Sequence, residues 1–394
     1  RMTASIPRGD ALALTRALVA IDSRNPSLAA DGPGEHAVAV RLAAVLRDWG
    51  FQVDLQDALP GRPNIIARIG PATSGRTLLL NGHLDTVGTD GMTHPPFAPD
   101  LRDGRLYGRG STDMKAGIAA MCAAAVRAAD AGLAGELLIS AVIDEEHGSV
   151  GTRHLLSQGI TAEAAIVTEP TRLAICPSHK GFTWAEVTVH GRAAHGSRHD
   201  VGVDAITQTA HLMAELDAHQ RTVLTGVTHP LLGRASLHAG TIVGGTGPST
   251  YAERCTVTLE RRTLPGERET IFAEEIDAAI VRVRARHPEF HATVTIGLRQ
   301  HPNDLAPSHP LVRTLEAACA AQGIAPRIEG LSCWTDAALL SAAGIPALCF
   351  GPGDIALAHA AEEWVAVDEI HQATAILTEC IHRWDRDEAH RWRR

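Results

Sequence analysis

Thr77-Leu78-Leu79-Leu80-Asn81 runs directly into Gly82-His83-Leu84-Asp85-Thr86-Val87. A short apolar run bounded by turn residues reads as a buried strand, and polar groups at its end read as the lining of a crevice in an α/β sheet. Two further segments repeat the arrangement: Gly108-Arg109-Gly110-Ser111-Thr112-Asp113-Met114-Lys115, and Asp144-Glu145-Glu146-His147-Gly148 at the end of the apolar stretch Glu136–Ile143. Acids in such places are costly unless cations or hydrogen-bond donors offset them.

Working outward, helical and strand-like stretches alternate. Helix His36 to Trp49, strands Gln52–Leu55 and Asn64–Ile69, the alanine-rich helix Ala116–Ala131, a helix near Gly151–Gln158 and strand Ala164–Thr168 predict an α/β unit, a mostly parallel sheet covered by helices. Near His179 the pattern changes. Phe182–His190 alternates polar and apolar residues, as a half-exposed strand does. Strands at Ala235–Val243, Cys255–Arg262 and His291–Leu298 and helices at Asp204–His219 and Thr270–Arg286 complete an α+β unit. Helices Pro310–Gln322, Asp336–Ala343 and Ile370–Asp385, with strand Pro346–Phe350, then resume the first pattern. The expected organisation is a discontinuous catalytic domain, 2–177 and 297–394, interrupted by an inserted domain, 178–296.

Composition narrows the function. The 394 residues exceed one ordinary core. A net charge of −9 argues against a nucleic-acid partner, and the basic end Arg391-Trp392-Arg393-Arg394 reads as a solvated tail. Seven cysteines stand singly without a CxxC pair, which suits reduced thiols and a cytoplasmic location. Residues 2–10 lack the apolar core of an export signal, and no apolar run of about 18 residues predicts a membrane span.

The chemistry-bearing residues combine into a metal reading. In extended chain His83 and Asp85 face the same side, so a ring nitrogen of His83 can bind metal while Asp85 backs the other. Asp113 reads as an N-cap or as a carboxylate bridging two cations. Glu145 and Glu146 point in different directions, so one can bind metal while the other takes a proton from water. Glu169 ends a strand, and His359 follows the glycine loop Gly351-Pro352-Gly353. Together these residues offer two nitrogens and several carboxylates near predicted strand ends.

In this order the motifs resemble the dizinc amidohydrolases and metallopeptidases that include acetylornithine deacetylase, succinyl-diaminopimelate desuccinylase, aminoacylase and bacterial glutamate carboxypeptidase. The resemblance runs from about Leu18 to Val367 and includes Gly191-Arg192-Ala193-Ala194-His195-Gly196-Ser197 and Arg261-Arg262-Thr263-Leu264-Pro265-Gly266-Glu267 in the insertion. It implies a zinc exopeptidase-like catalytic domain with a ferredoxin-like dimerisation or lid domain. It implies two divalent ions per chain, zinc first, with cobalt or manganese as alternatives. Asp113 would bridge them, His83 and Glu169 would complete one site, and Glu146 and His359 the other. Glu145 would be the general base and Asp85 would orient His83. His195 would serve the neighbouring subunit's site in a homodimer and hold the oxyanion. Arg262 would contact the substrate carboxylate, although strand alternation leaves Arg261 as the alternative, and Gly351, Pro352 and Gly353 would lie beside the substrate. The resemblance also implies a cis Asp113–Met114 bond. One departure is visible: many such proteins carry Asn-Val-Ile-Pro shortly before the position of Cys255, where this chain reads Ser249-Thr250-Tyr251-Ala252.

The expected activity is hydrolysis of the amide bond of an N-acyl-amino acid by metal-held hydroxide. The alternatives are a dipeptidase or carboxypeptidase using the same machinery, and a metal-containing binding protein without turnover. An unliganded base such as Glu145 argues against the last.

Overall fold

The Leu78–His83 strand is buried along its whole length, and so are Leu137–Val142 and Ala164–Val167. Strands covered on both faces carry continuous apolar runs and suit the middle of a helix-covered sheet. In the computed structural model, which describes residues 5–71 and 76–386, these three strands are parallel neighbours. The order is Gln52–Leu59, Arg62–Ile69, Leu137–Val142, Leu78–His83, Ala164–Val167, Ala347–Cys349 and then Ile175–His179. Pairing is parallel through the centre and antiparallel on both flanks. The tail 391–394 lies outside the described residues.

Two helices illustrate how this sheet is covered. Ala116–Asp130 is buried almost throughout, because alanine side chains let it lie close to its neighbours on several sides. Val367–Arg386 shows one apolar stripe, Ile370, Ala373, Leu377, Cys380, Ile381 and Trp384, at the spacing of a helix with one buried face. Both contribute to a single apolar core with the sheet. A small hairpin, Asp100–Arg102 and Arg105–Tyr107, pairs with Trp364–Ala366. Its turn places Asp103 at φ 49° and Gly104 at φ 72°, the left-handed pair that a tight hairpin demands. Three-residue strands are too short to show a period, and these went unread in the sequence.

The chain divides into two compact units. One runs to Ser178 and resumes at Leu305–Glu329 and from Thr335 onward; the other holds His179–Asp304 and Gly330–Trp334. The boundary expected at 296/297 falls inside strand His291–Gln300 and is corrected to Asp304. A strand that pairs along Gly181–His190 cannot be divided between domains.

The second unit is a four-stranded antiparallel sheet, ordered Ser236–Gly244, Arg254–Thr263, Gly181–His190 and His291–Gln300. Helices Ala205–Thr222 and Ile271–Arg286 share a core with it, including Val187, Val257, Leu216 and Phe272. Side chains that alternate away from this core are more exposed, Trp184 among them at 42%. Ile242 and Val243, on the edge strand, are 57% and 72% exposed. No helix among the described residues is long and apolar enough to cross a membrane.

Candidate metal centre

Sheet register brings the acids together. His83 pairs with Val142 on one side, and Asn81 pairs with Val167 on the other. Parallel strands end on the same edge, so His83 lies between Glu145 and Glu146, just past Val142, and Glu169, two residues past Val167. Asp113 arrives from a tight turn, Ser111–Lys115, where its φ and ψ of −121° and 94° are not helical. Helix Ala116–Asp130 begins immediately afterwards. Its Gly117 lies so close to the end of the Glu169 strand that a Cβ there would stand 1.9 Å from the Thr168 carbonyl oxygen. The Asp113–Met114 peptide is cis.

The two oxygens of Asp113 face different histidines. Oδ1 is 3.1 Å from His83 Nε2, and Oδ2 is 3.4 Å from His359 Nε2. His359 Nε2 also lies 3.0 Å from Glu146 Oε2. Glu169 and Glu145 approach His83 Nε2 at 3.9 and 4.0 Å. Donor atoms of His83, Glu145 and Glu169 all fall within 4.8 Å of one another, as do those of His83, Asp113 and Glu146. Distances alone do not separate Glu145 from Glu169.

Electrostatics show how burial and neighbouring charges act on these groups. Burial pushes the Glu145 and Glu169 carboxyls well above the usual carboxylate range. Burial and the neighbouring Asp113 also raise Glu146. Burial opposes charge on His83, but the Asp113 and Asp85 carboxylates outweigh it and raise the ring well above its ordinary value. Asp113 and Glu146 push His359 up to about 10. Burial likewise opposes charge on Asp113, yet His359 and His83 hold it low. The acids therefore call for positive charge, part of which protonated imidazoles would supply. Divalent cations would supply more, with neutral rings and ionised carboxylates as ligands. The donor set fits them.

A second layer holds the first. His83 Nδ1 is 3.0 Å from the backbone carbonyl oxygen of Asp85 and 3.5 Å from its Oδ1. The Asp85 carboxylate has a further purpose: it accepts the backbone N–H of Glu145 at 3.1 Å and of Glu146 at 3.2 Å. Asn25 donates to both Asp85 and Asp144, at 2.8 and 2.9 Å, and Arg62 pairs with buried Glu35 at 2.6 Å. Asn25 sits in an Asn-Pro turn 60 residues from Asp85. Nothing local in the sequence distinguishes it from any turn asparagine.

The glycine loop has packing reasons of its own. A Cβ on Gly351 would stand 2.5 Å from the Thr168 carbonyl oxygen, and one on Gly353, at φ 94°, would meet Thr112 Oγ1 at 2.2 Å. His195 and Arg262 belong to the second unit. His195 is exposed, with Nδ1 2.8 Å from Ser197 Oγ. Arg262 is 30% exposed, pairs with Glu260 at 2.7 Å and lies over the Phe182 ring. Arg261 is buried instead against Glu267 and Glu275, at 2.6 and 3.0 Å.

This fold and donor set define a metal-dependent hydrolase of amide or peptide bonds. Residues 79–383 match peptidase family M20/M25/M40, and the chain belongs to that family. It is 33% identical over 352 residues to acetylornithine deacetylase of Myxococcus xanthus, covering 86% of this chain and 89% of that protein. It is 28% identical over 374 residues to N-formyl-4-amino-5-aminomethyl-2-methylpyrimidine deformylase of Bacillus subtilis, covering 87% and 88%. The fold is shared with the YXEP protein of Bacillus subtilis, a dinuclear metal-binding peptidase, at a TM-score of 0.71 and 14% identity over 94% and 96% of the two chains.

Proposed function

We propose that the protein hydrolyses the amide bond of an N-acyl-amino acid with two zinc ions per chain. The carrying observation is a buried carboxylate, Glu145, beside a convergent set of metal donors. His83, Asp113 and Glu169 would hold one ion, and Asp113, Glu146 and His359 the other. Bound there, divalent ions supply Lewis acidity towards a carbonyl oxygen and lower the pKa of water. Glu145 takes the proton of the attacking water and passes it to the leaving nitrogen. Asp85 fixes the peptide that carries Glu145 and backs His83. Arg262 takes the substrate carboxylate, and Gly351, Pro352 and Gly353 line its approach. His195, from a second copy of the chain, donates to the oxyanion.

The names of the two relatives describe removal of an acetyl and a formyl group, which supports an acylated amine as substrate. The peptidase name of the family supports a second reading, hydrolysis of a peptide bond, with dipeptides or peptides that lose a C-terminal residue as substrates. A panel of N-acyl-amino acids and dipeptides, with added zinc or cobalt, separates the two by product: a short carboxylic acid or free amino acids alone. Chelation is expected to abolish turnover and added metal to restore it. Full activity in demonstrably metal-free protein would remove the metal reading.

A further inference from the structure

Glu363 stands four residues beyond His359 and belongs to none of the motifs above. It is 1% exposed, and its two oxygens accept four hydrogen bonds. Oε2 accepts from Arg109 Nη1 at 2.6 Å and from the Gly110 N–H at 3.0 Å. Oε1 accepts from the N–H groups of Thr112 at 3.0 Å and Asp113 at 3.1 Å. The backbone reciprocates: the Gly108 N–H donates to the Glu363 carbonyl at 3.2 Å.

The first N–H groups of a helix have no partner within it. Ser111–Lys115 adds a non-helical Asp113 to that deficit. One carboxylate from a distant segment meets three of these N–H groups and so holds the Asp113 backbone. That segment also carries His359. Arg109 tightens the joint from the other side, donating from Nε to the Gly88 carbonyl at 3.0 Å and from Nη2 to the Ala360 carbonyl at 3.3 Å. Ala360 adjoins His359. Strand Trp364–Ala366, pairing with Arg105–Tyr107, continues the same seam.

We infer that Glu363 is a positioning residue that sets Asp113 against His359, and thereby the affinity for the cation these two would share with Glu146. This rests on the reading of those residues as metal ligands. Glu363 touches no donor atom of the cluster. It acts through the peptide N–H of one ligand and through the chain leading from the other.

The test is a Co²⁺ titration of metal-free protein, followed by calorimetry and by the visible absorbance of bound cobalt. The wild type is expected to take up two ions. Glu363→Gln keeps the volume but turns an NH₂ group towards backbone donors. It is expected to weaken one of the two binding constants by about 10–100-fold, the range typical for partners behind metal ligands. The other constant, for the ion that would share Asp113 but not His359, is expected to fall less. Glu363→Asp keeps a charge facing Arg109 but falls one methylene short of the backbone. It is expected to show the same unequal loss and serves if Glu363→Gln does not fold.

Two wild-type binding constants in both variants would overturn the inference. So would equal weakening of both constants together with a lowered melting temperature, because that is general loosening. Recovery of both constants in the double variant Arg109→Met/Glu363→Gln would show that Glu363 only neutralises Arg109, and would overturn it too. A wild type that binds no cobalt fails earlier, at the metal reading itself.

Discussion

Glu145 and Glu169 stand almost equally far from the His83 ring nitrogen, so their roles separate by chemistry. Glu145→Gln is expected to retain the metals and lower kcat by about 10²–10⁴-fold, the usual worth of a general base. Glu169→Gln is expected to lose metal. Metal content and kcat measured on the same preparations distinguish them, and a Glu145→Gln variant with near-normal kcat would move the base elsewhere. Asp336 is a further buried acid, bonded by Thr152 Oγ1 at 2.6 Å. Burial pushes its carboxyl up to about 6, with the Thr152 bond opposing. A folded value raised above the unfolded value of about 3.9 means that the folded state binds the proton more tightly. Its stabilising contribution is therefore full below about pH 4, fades as pH rises towards 6 and is absent above. In metal-free protein, Asp336→Asn is expected to raise stability at pH 7 by about 1–3 kcal/mol. The gain should vanish near pH 4. Denaturant midpoints across that range check it, and a gain independent of pH would contradict it.

At the scale of elements, the site depends on how closely helix Ala116–Asp130 approaches the strand carrying Glu169. Gly117 has no room for a Cβ, because the obstacle is the Thr168 backbone carbonyl and not a flexible side chain. Gly117→Ala is expected to cost about 1–3 kcal/mol or more, as overpacking does. It should also lower metal content, because Asp113 and Glu169 lie on the two surfaces being forced apart. Denaturant unfolding and metal analysis read the two effects separately. Unchanged values for both would mean that the helix start can shift freely. The elements bearing this joint were legible in the sequence, since an alanine-rich stretch and an apolar run each announce themselves. Their closeness was not legible, because a glycine inside a helical pattern does not say what it faces.

At the scale of the whole molecule, the second unit leaves Trp184 and the edge-strand residues Ile242 and Val243 exposed. Among the described residues the Ser236–Gly244 strand ends its sheet, and an apolar edge invites pairing with another chain. A C₂ homodimer built on this unit, with each His195 serving the partner's site, predicts complementation. His195→Ala and Glu145→Gln are each expected to be inactive and to recover activity when mixed, dissociated and reassociated. One site of the mixed dimer would then hold both intact groups. No recovery despite proven subunit exchange would place His195 within its own chain's chemistry or outside it altogether. The sequence by itself determined which residues gather at the sheet edge. His83, Glu145, Glu146 and Glu169 directly end or follow buried strands, and parallel strands end on one side. Only the tertiary structure decided what holds them there. Asn25 reaches Asp85 across 60 residues and Glu363 reaches Asp113 across 250. It also settled which of two adjacent arginines is buried, Arg261 against its paired acids, with Arg262 on the opposite face. Strand alternation requires that the two differ. It cannot say which face is inward until the helices of the second unit have packed on one side of its sheet.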